Sequence, residues 1–378
     1  MLSVIEFMKK KSLPLLDFVS SNYKDVKLDK VLLIASQHIL ESQRLMFEYF
    51  IEKGLKPKNI FLIGKCYSTN RDVIKRFQKM GIYVSPKSES FDQNLSFDEQ
   101  FEGYTRELLD YINKVVNLKN YDRVIILEDG GSLLSYANRI LKDTRNIIGI
   151  EQTSAGYEKL KNIKLDFPVI NVARSYAKLK VESPIIAKTC IERLKSSLSR
   201  LKLKPKSILI IGAGAVGNAI YEELNSNFLV KRYDLDSNLS DYKNESLKAI
   251  LGEFDMIIGS TGKEIIDISL YKYLKDDAIL VSVSSSDREF SAVNLRKMID
   301  KKITCHDDLK VKSWYLLNGG FPINFDGAED SASSEKIQIT LALLFASLCL
   351  AVKQNYRKGL IDLEKNTQNQ IIDEFGKL

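Results

Sequence analysis

The sequence contains few of the residues that mark unusual protein classes. Its 378 residues include four cysteines, seven prolines and 19 glycines, and 44% of them are hydrophobic. This composition excludes collagenous, low-complexity and disordered chains. The cysteines lie far apart, without a CxxC or CxxH pair, and are Cys66, Cys190, Cys305 and Cys349. We therefore predict reduced, buried thiols, and neither a disulfide framework nor a metal site.

Long hydrophobic runs and a strong charge imbalance are also missing. The most apolar stretch, residues 337–352, contains Gln338, Thr340 and Ser347, and at about 16 residues it is shorter than the roughly 20 of a membrane span. The cluster Lys9–Lys11 follows the first apolar residues instead of preceding them, so we expect no secretory signal. The net charge of +7 comes from scattered lysines. We predict a cytoplasmic protein with neither nucleic-acid nor membrane partners.

Short β-branched runs alternate with longer amphipathic stretches, which is the pattern of βαβ units in a parallel sheet. The first half predicts strands at residues 31–36, 59–63, 82–85, 123–127, 146–150 and 169–172. The second half predicts strands at residues 208–211, 228–233, 255–258, 278–283, 303–305 and 314–317. The predicted fold class is α/β, with two doubly wound parallel-sheet domains.

A glycine-rich turn follows the first strand of the second half, with an amphipathic helix behind it. In its GxGxxG spacing, Gly212 permits a tight turn, Gly214 lets the backbone approach a pyrophosphate, and Gly217 allows close helix–strand packing. Asp234 ends the next strand and can accept hydrogen bonds from both ribose hydroxyls. The predicted NAD-binding residues are Gly212, Gly214, Ala215, Val216, Gly217 and Asp234. Lys231 and Arg232 keep NADP open as an alternative.

Several segments, taken in order, resemble the S-adenosylhomocysteine hydrolase (adenosylhomocysteinase) family. They are Leu127–Gly131, Gly149–Gly156, Pro168–Val172 with Ser175 and Lys178, the GxGxxG turn, Gly259–Gly262, Asp276–Ile279 and Tyr67–Asn70. The similarity covers roughly residues 30 to 350. It implies tightly held NAD that oxidises a ribose 3′-hydroxyl, after which a 5′ thiol leaves, water adds and the hydride returns.

The resemblance also implies roles for particular residues. Asp129 matches an acid/base aspartate, Lys178 matches the lysine that assists 3′-hydroxyl deprotonation, and Glu182 stands where the family has an aspartate. The implied substrate-binding residues are His38, Glu41, Thr69 and Gln152, the last replacing a glutamate. The remaining implied cofactor-binding residues are Thr153, Ser154, Ser260, Thr261, Gly262 and Asn318.

Each of these residues also has a structural interpretation. Asp129 can cap the turn before Gly130, Lys178 can be a solvated lysine, and Glu182 and His38 can be a helix-face carboxylate and a polar strand end. The sequence departs from the family as well, because Ser285 and Phe321 stand where the family has histidines. The chain also ends without the family's Lys/Tyr tail, so weaker retention of NAD is expected.

The sequence thus predicts a substrate (catalytic) domain of residues 1–185 plus 325–378 and a Rossmann NAD-binding domain of residues 186–324. Its leading functional prediction is an adenosylhomocysteinase-like enzyme for a small, nucleoside-like substrate. A catalytically silent NAD-binding regulator, and a dehydrogenase or epimerase of a different sugar, are the alternatives. The apolar helix near residue 345 predicts core packing or a homo-oligomer interface, in a dimer or a tetramer.

Overall fold

The computed structural model describes residues 12–141 and 146–378, in which strands and helices alternate. The Lys9–Lys11 cluster lies outside these residues. The strands are β1 Val31–Ser36, β2 Ile60–Ile63, β3 Tyr83–Val84, β4 Arg123–Glu128, β5 Ile147–Glu151, β6 Pro168–Asn171, β7 Ser207–Ile211, β8 Leu229–Tyr233, β9 Met256–Gly259, β10 Ile279–Ser282, β11 Leu309–Val311, β12 Trp314–Leu316 and β13 Gly359–Asp362.

Helices connect most of these strands. They are α1 Pro14–Asn22, α2 Glu41–Glu52, α3 Arg71–Lys79, α4 Phe97–Val115, α5 Ser132–Ile140, α6 Ser154–Leu160, α7 Ser183–Leu201, α8 Ala215–Leu224, α9 Leu247–Ile250, α10 Ala292–Arg296, α11 Ser334–Lys353 and α12 Lys365–Phe375. A π-helical stretch, Ala177–Glu182, runs directly into α7. Helix α4 begins at Phe97, where Ser96 and Glu99 form a capping box.

The strands form two sheets, and the predicted α/β class is confirmed. The first sheet has the order β13-β6-β5-β4-β1-β2-β3, and its strand pairs are parallel. The second has the order β11-β12-β10-β9-β7-β8, in which β11 runs antiparallel to β12. The strand order reverses between β1 and β4 and between β7 and β9. Ligands of doubly wound sheets bind beyond the strand C-termini at such reversals.

The predicted strand at residues 303–305 is wrong. The Ile303 backbone N–H donates to Gln93 Oε1 at 3.0 Å and so does not join a β-ladder. The antiparallel partner of β12 comes instead from β11. Strand β13 and helix α12 were not predicted, and β13 pairs with β6 at the edge of the first sheet.

Helix α11 is long and apolar enough to cross a membrane by length and composition alone, but most of it is buried within the structure. It packs against α1, α2 and the π-helical stretch, in the largest hydrophobic cluster of the described chain. The hydrophobic core beside the first sheet is therefore formed by residues from both the N-terminal and the C-terminal parts of the chain. The limits of the two predicted domains stay a prediction.

Polar and aromatic contacts join the two sheets. The buried Arg296 guanidinium pairs with Asp287 at 2.6 Å and donates to the backbone carbonyl of Leu95 at 3.2 Å, before α4. The Phe321 ring stacks on Tyr67, with 5.0 Å between ring centroids. Because these side chains are buried, the two sheets pack directly against each other at this point.

Candidate functional site

Asp129 is the residue around which the candidate site is built. Strand β4 ends at Glu128, so Asp129 lies just beyond the C-terminus of a central strand of the first sheet. Gly130 and Gly131 have φ angles of +118° and +76°, which lets the chain turn sharply into α5. The Asp129 side chain is only 3% exposed. The fold thus buries a carboxylate at the edge where such sheets bind ligands.

Three side chains contact the Asp129 carboxylate. The Lys65 ammonium pairs with Oδ1, and the Gln152 amide donates to Oδ2. His38 Nε2 lies 3.1 Å from the same Oδ2. These residues follow β2, β5 and β1, so four neighbouring strand ends converge on one point. We call Asp129, Lys65, His38 and Gln152 the Asp129 cluster.

The cluster holds a fixed pair of opposite charges. Burial alone would raise the pKa of Asp129, but the Lys65 ammonium and His38 lower that pKa well below its usual range. Burial alone would lower the pKa of Lys65, but Asp129 raises it above its usual value. Asp129 is therefore a permanent anion at neutral pH. The other ring nitrogen of His38, Nδ1, lies 2.6 Å from Ser68 Oγ.

A segment from the second half of the chain covers the cluster. The Phe325 ring stacks on His38, with 4.6 Å between ring centroids. Asn70 donates to the Gly327 carbonyl at 3.1 Å, and Arg76 pairs with Glu329 at 2.7 Å. We call residues 324–331 the covering segment. A narrow crevice lies between this segment and the chain after β2.

Buried polar atoms near the cluster are left without a hydrogen-bond partner among the described residues. They are Nε2 and Oε1 of Gln37, Oγ1 of Thr69 and Oε1 of Gln152. Gln37 precedes His38 in the chain, and Thr69 follows Ser68. Since each buried unpaired polar group costs about 1–3 kcal/mol, native proteins rarely keep several together without a purpose. Of these residues, Thr69 lines the crevice beneath the covering segment.

Two buried glutamates support the cluster from behind, and sequence reasoning missed both. Glu128 and Glu151 are opposite each other in the β4–β5 register, and neither is exposed. Glu128 accepts from the Leu133 and Leu134 N–H groups at the start of α5. Glu151 accepts from the Thr153 N–H at 2.7 Å. Burial, and then the nearby Glu128 charge, raise the pKa of Glu151 to about 8.

Replacing Glu151 with glutamine is expected to make stability less dependent on pH. The pKa of Glu151 is about 4.3 in the unfolded chain and higher in the folded protein. At pH values between the two, Glu151 is protonated only in the folded protein, so the free energy of unfolding falls as pH rises. Glutamine does not titrate, so E151Q should not show this fall in the free energy of unfolding. Its stability relative to wild type should therefore rise between about pH 5 and pH 8, by up to about 1.4 kcal/mol per pH unit.

Urea unfolding at several pH values measures this difference. The matched control is E222Q, which changes an exposed glutamate on α8 and should differ from wild type by the same amount at every pH. A difference between E151Q and wild type that stays constant from acidic to mildly alkaline pH would contradict the raised pKa of Glu151.

Lys65 was also missed. The sequence signal was a lysine two residues after the end of the apolar strand β2, beyond the strand end that faces the site. A single sequence cannot show that this lysine is buried, because its partner Asp129 is 64 residues away. Lysines are otherwise common on the surface of this chain.

The glycine-rich turn has the geometry that a dinucleotide requires. Gly212 has a φ of +101°, a value that favours glycine. A Cβ on Gly217 would lie 1.9 Å from the Gly212 carbonyl oxygen, so α8 can approach the turn this closely only with glycine there. A Cβ on Gly214 would meet nothing within 4 Å. The turn is thus open on the side of Gly214, and Ala215 and Val216 begin α8 beside it.

Asp234 lies next to this turn, at the end of β8. Its Oδ2 accepts from the Ala213 N–H at 2.7 Å, which holds the carboxylate against the turn. The neighbouring Arg232 is engaged elsewhere, because its guanidinium lies 4.2 Å from the centre of the Tyr221 ring and pairs with Asp241.

The loop after β9 lies beside the glycine-rich turn. Ser260 Oγ donates to the Gly212 carbonyl at 2.7 Å. The Thr261 and Gly262 N–H groups donate to Glu289 at 2.5 and 3.0 Å, respectively. Glu289 is buried beneath the loop and was missed, because nothing near it in the sequence marks its role. The predicted residues of this loop therefore lie beside the turn, as a shared cofactor site requires.

Lys178 and Glu182 contact each other and not the Asp129 cluster in the described part of the chain. Lys178 Nζ lies 2.9 Å from Glu182 Oε2, within the π-helical stretch. Thr340 on α11 donates to Glu182. Such π-helical stretches often occur at functional sites. The catalytic roles predicted for this pair stay predictions.

Other predicted residues hold the covering segment or cap helices. Glu41 pairs with Arg44 and Arg76, and its N–H donates to the Glu329 carbonyl at 2.9 Å. The Asn318 amide donates to the carbonyls of Pro322 and Phe325, at 2.8 and 2.9 Å. Thr153 Oγ1 caps α6 by accepting from the Gly156 N–H, while Ser154 is exposed. Their binding roles stay predictions.

The structure also locates the two residues that replace family histidines. Phe321 is fully buried in the stack on Tyr67, and Ser285 is half-buried after β10. The remaining histidine besides His38 is His306, whose Nδ1 lies 3.1 Å from the Phe325 carbonyl. His306 thus contacts the covering segment from the side of the second sheet.

Comparison with solved structures finds matches to several enzymes, at low identity and with TM-scores below 0.5. A component of the dipicolinate synthase of Bacillus halodurans is 10% identical, with a TM-score of 0.43, and the match covers 85% of this chain and 97% of that one. The NAD⁺-bound 3-phosphoglycerate dehydrogenase of Entamoeba histolytica is 13% identical, with a TM-score of 0.39, covering 87% of this chain and 100% of that one.

Comparison of sequences finds nearer relatives. No protein-family model matches the chain. An adenosylhomocysteinase of Sulfurisphaera tokodaii is 24% identical over 290 residues, which cover 70% of this chain and 67% of that protein. Two Mycobacterium tuberculosis sequences, the uncharacterized proteins Rv0104 and MT0113, are each 40% identical over 347 residues, which cover 89% of this chain and 67% of theirs. The chain therefore belongs to the same family as Rv0104.

Proposed function

We propose that the protein is an NAD-dependent enzyme of the adenosylhomocysteinase type, which transiently oxidises a hydroxyl of a nucleoside-like substrate bound at the Asp129 cluster. The observation that carries this proposal is the cluster itself. A buried anion, a buried cation and an imidazole meet at a strand reversal, and the Gln152 Oε1 atom beside them has no hydrogen-bond partner within residues 12–141 and 146–378. The 24% identity to an adenosylhomocysteinase is consistent with that chemistry.

The second sheet supplies residues that fit NAD. Gly214 leaves room for a pyrophosphate beside the first turn of α8, whose N–H groups favour an anion. Asp234 would accept from the ribose hydroxyls and would repel a 2′-phosphate. Arg232 is already paired with Asp241, so its positive charge would attract that phosphate only weakly. When bound, the nicotinamide supplies hydride acceptance and return.

The residues of the first sheet would bind and orient the substrate. Gln152 Oε1 and Thr69 Oγ1 are unpaired in the described part of the chain, and they would hydrogen-bond to substrate hydroxyl groups. His38 would move a proton, and the fixed Asp129 anion would stabilise the imidazolium that forms. Phe325 covers the imidazole and excludes water from one of its faces.

A catalytically silent NAD-binding regulator is the second candidate. The observation that favours it is the closed contact between Phe321 and Tyr67, where the family has a histidine in place of Phe321. In addition, the Asp129 charge is already balanced by Lys65. A dehydrogenase or an epimerase of a different sugar would use the same binding residues. Of these enzymes, only the dehydrogenase would accumulate reduced cofactor.

Absorbance near ~340 nm, where reduced nicotinamide absorbs, tests the proposal on NAD-loaded protein mixed with adenosine or S-adenosylhomocysteine. A rise that is stoichiometric with protein is expected. H38Q should slow this rise by about 10²-fold or more, which is the usual size of a general acid–base contribution. Net reduction over many turnovers would instead identify a dehydrogenase.

The control is E222Q, which changes an exposed side chain on α8 and lies outside the Asp129 cluster and the covering segment. It should bind NAD as wild type does and give a rise of the same amplitude. No rise with any nucleoside tested, while NAD is bound, would overturn the enzymatic proposal in favour of the silent regulator. The cytoplasmic location and the dimer or tetramer stay predictions.

A further inference from the structure

Two cysteines meet where the two sheets face each other. Cys66 follows β2, and Cys305 precedes β11; both are buried in the same hydrophobic cluster. Cys305 Sγ lies 3.4 Å from the Cys66 carbonyl oxygen, and the Cys66 thiol hydrogen-bonds to the Cys305 sulfur. Cys190 and Cys349 lie in two other clusters. One pair of thiols is thus in contact across the junction of the sheets.

His306 makes this pair different from ordinary core thiols. Its imidazole hydrogen-bonds to the Cys305 sulfur. The hydrogen bond from Cys66 lowers the pKa of Cys305, whereas burial raises it. The hydrogen bond and charge of His306 lower this pKa further, to about 5. The buried Asp287–Arg296 pair also faces Cys66, and its two charges act on that thiol in opposite directions.

We propose that Cys66 and Cys305 form a redox-active pair that closes a disulfide between the two sheets when the protein meets a hydroperoxide. The 3.4 Å contact between the Cys305 sulfur and the Cys66 backbone carbonyl, and the burial of both cysteines in one cluster at the junction of the sheets, carry this proposal. It does not depend on the proposed function at the Asp129 cluster.

The chemistry balances with hydrogen peroxide as the oxidant. The Cys305 thiolate attacks one peroxide oxygen, the O–O bond breaks, and the leaving hydroxide takes a proton from His306, which yields sulfenic acid and water. The Cys66 sulfur then attacks the sulfenic sulfur. The S–S bond forms, the S–O bond breaks, and a second water leaves with the Cys66 proton. Two thiols are oxidised, and one peroxide is reduced to two waters.

The bond would have structural consequences. Cys66 lies between Lys65, which pairs with Asp129, and Tyr67, which stacks on Phe321. A disulfide would therefore fix the chain after β2 to the second sheet and prevent the two sheets from separating there.

Thiol mapping of the full-length protein tests the proposal. The protein is treated with hydrogen peroxide, unfolded and alkylated with N-ethylmaleimide, and its mass and peptides are measured. Two of the four thiols should escape alkylation, in a peptide that links Cys66 to Cys305. C66S and C305S should give no such peptide, and the matched control C190S should cross-link as wild type does. Four free thiols, or a linkage through Cys190 or Cys349, would overturn the proposal.

The pH dependence of the reaction tests His306. In wild-type protein, where Cys66 is present, the rate of peroxide consumption should change little between about pH 6 and pH 8, because the Cys305 thiolate is already formed. In H306Q the rate should fall as pH decreases across this range, by up to about tenfold per unit. Equal pH profiles for the two proteins would show that His306 does not stabilise the thiolate and would overturn this part of the proposal.

Discussion

Replacing Asp129 with leucine is expected to destabilise the protein by about 3–5 kcal/mol, because it leaves the Lys65 ammonium buried without its counter-charge. Both side chains are 3% exposed, so water cannot compensate for the missing partner. The loss should appear as a lower midpoint in urea unfolding with an unchanged slope. The variant should also fail to oxidise substrate, since the cluster loses its anion.

The double variant K65M/D129L separates charge from shape. Replacing both buried ions with apolar side chains removes the unpaired charge, so the double variant should regain most of the stability lost in D129L. The matched control is D72N, which breaks the exposed Lys75–Asp72 pair on α3 and should change stability little. If D129L is as stable as wild type, the buried pair described here does not exist in solution.

Replacing Gly214 with alanine is expected to weaken NAD binding by tenfold or more, about 1.4 kcal/mol, while the protein keeps its stability. The added methyl group meets no protein atom, so the fold tolerates it. It does occupy the open side of the turn, where the pyrophosphate would approach the backbone. Isothermal titration with NAD measures the affinity, and thermal unfolding without NAD measures the stability.

Two other glycines make this experiment specific. G217A should lose both NAD affinity and stability, because its Cβ would lie 1.9 Å from the Gly212 carbonyl oxygen. G103A should leave binding unchanged and stability equal or slightly higher, since Gly103 lies within α4 with open space around it. If G214A binds NAD as tightly as wild type, the dinucleotide does not bind at this turn.

The parts of the fold that could be predicted are those that local patterns determine. The apolar run of β4 is buried on both faces, and the glycines of the 212–217 turn mark a strand-to-helix connection with fixed spacing. Strand β13 could not be predicted. It is a half-exposed edge strand of four residues, and its pairing with β6 joins segments far apart in the chain.

The candidate site was predictable only in part, for a related reason. Asp129 directly follows a recognisable strand, so its position could be predicted, and His38 and Gln152 follow neighbouring strands. Lys65 and Glu151 were missed because single-sequence reasoning assigns charged residues to the surface. Their burial depends on partners brought together by the sheet, and sequence spacing does not reveal such partners.

Transfer of deuterium from substrate to cofactor tests the proposed oxidation most directly. NAD-loaded protein is mixed with adenosine that carries deuterium at C3′, and the nicotinamide is then released and analysed by mass spectrometry. We expect deuterium on the nicotinamide of wild-type protein and a strong reduction of that label in H38Q. Unlabelled nicotinamide after incubation with C3′-deuterated adenosine and S-adenosylhomocysteine, in protein shown to hold NAD, would contradict the proposed oxidation.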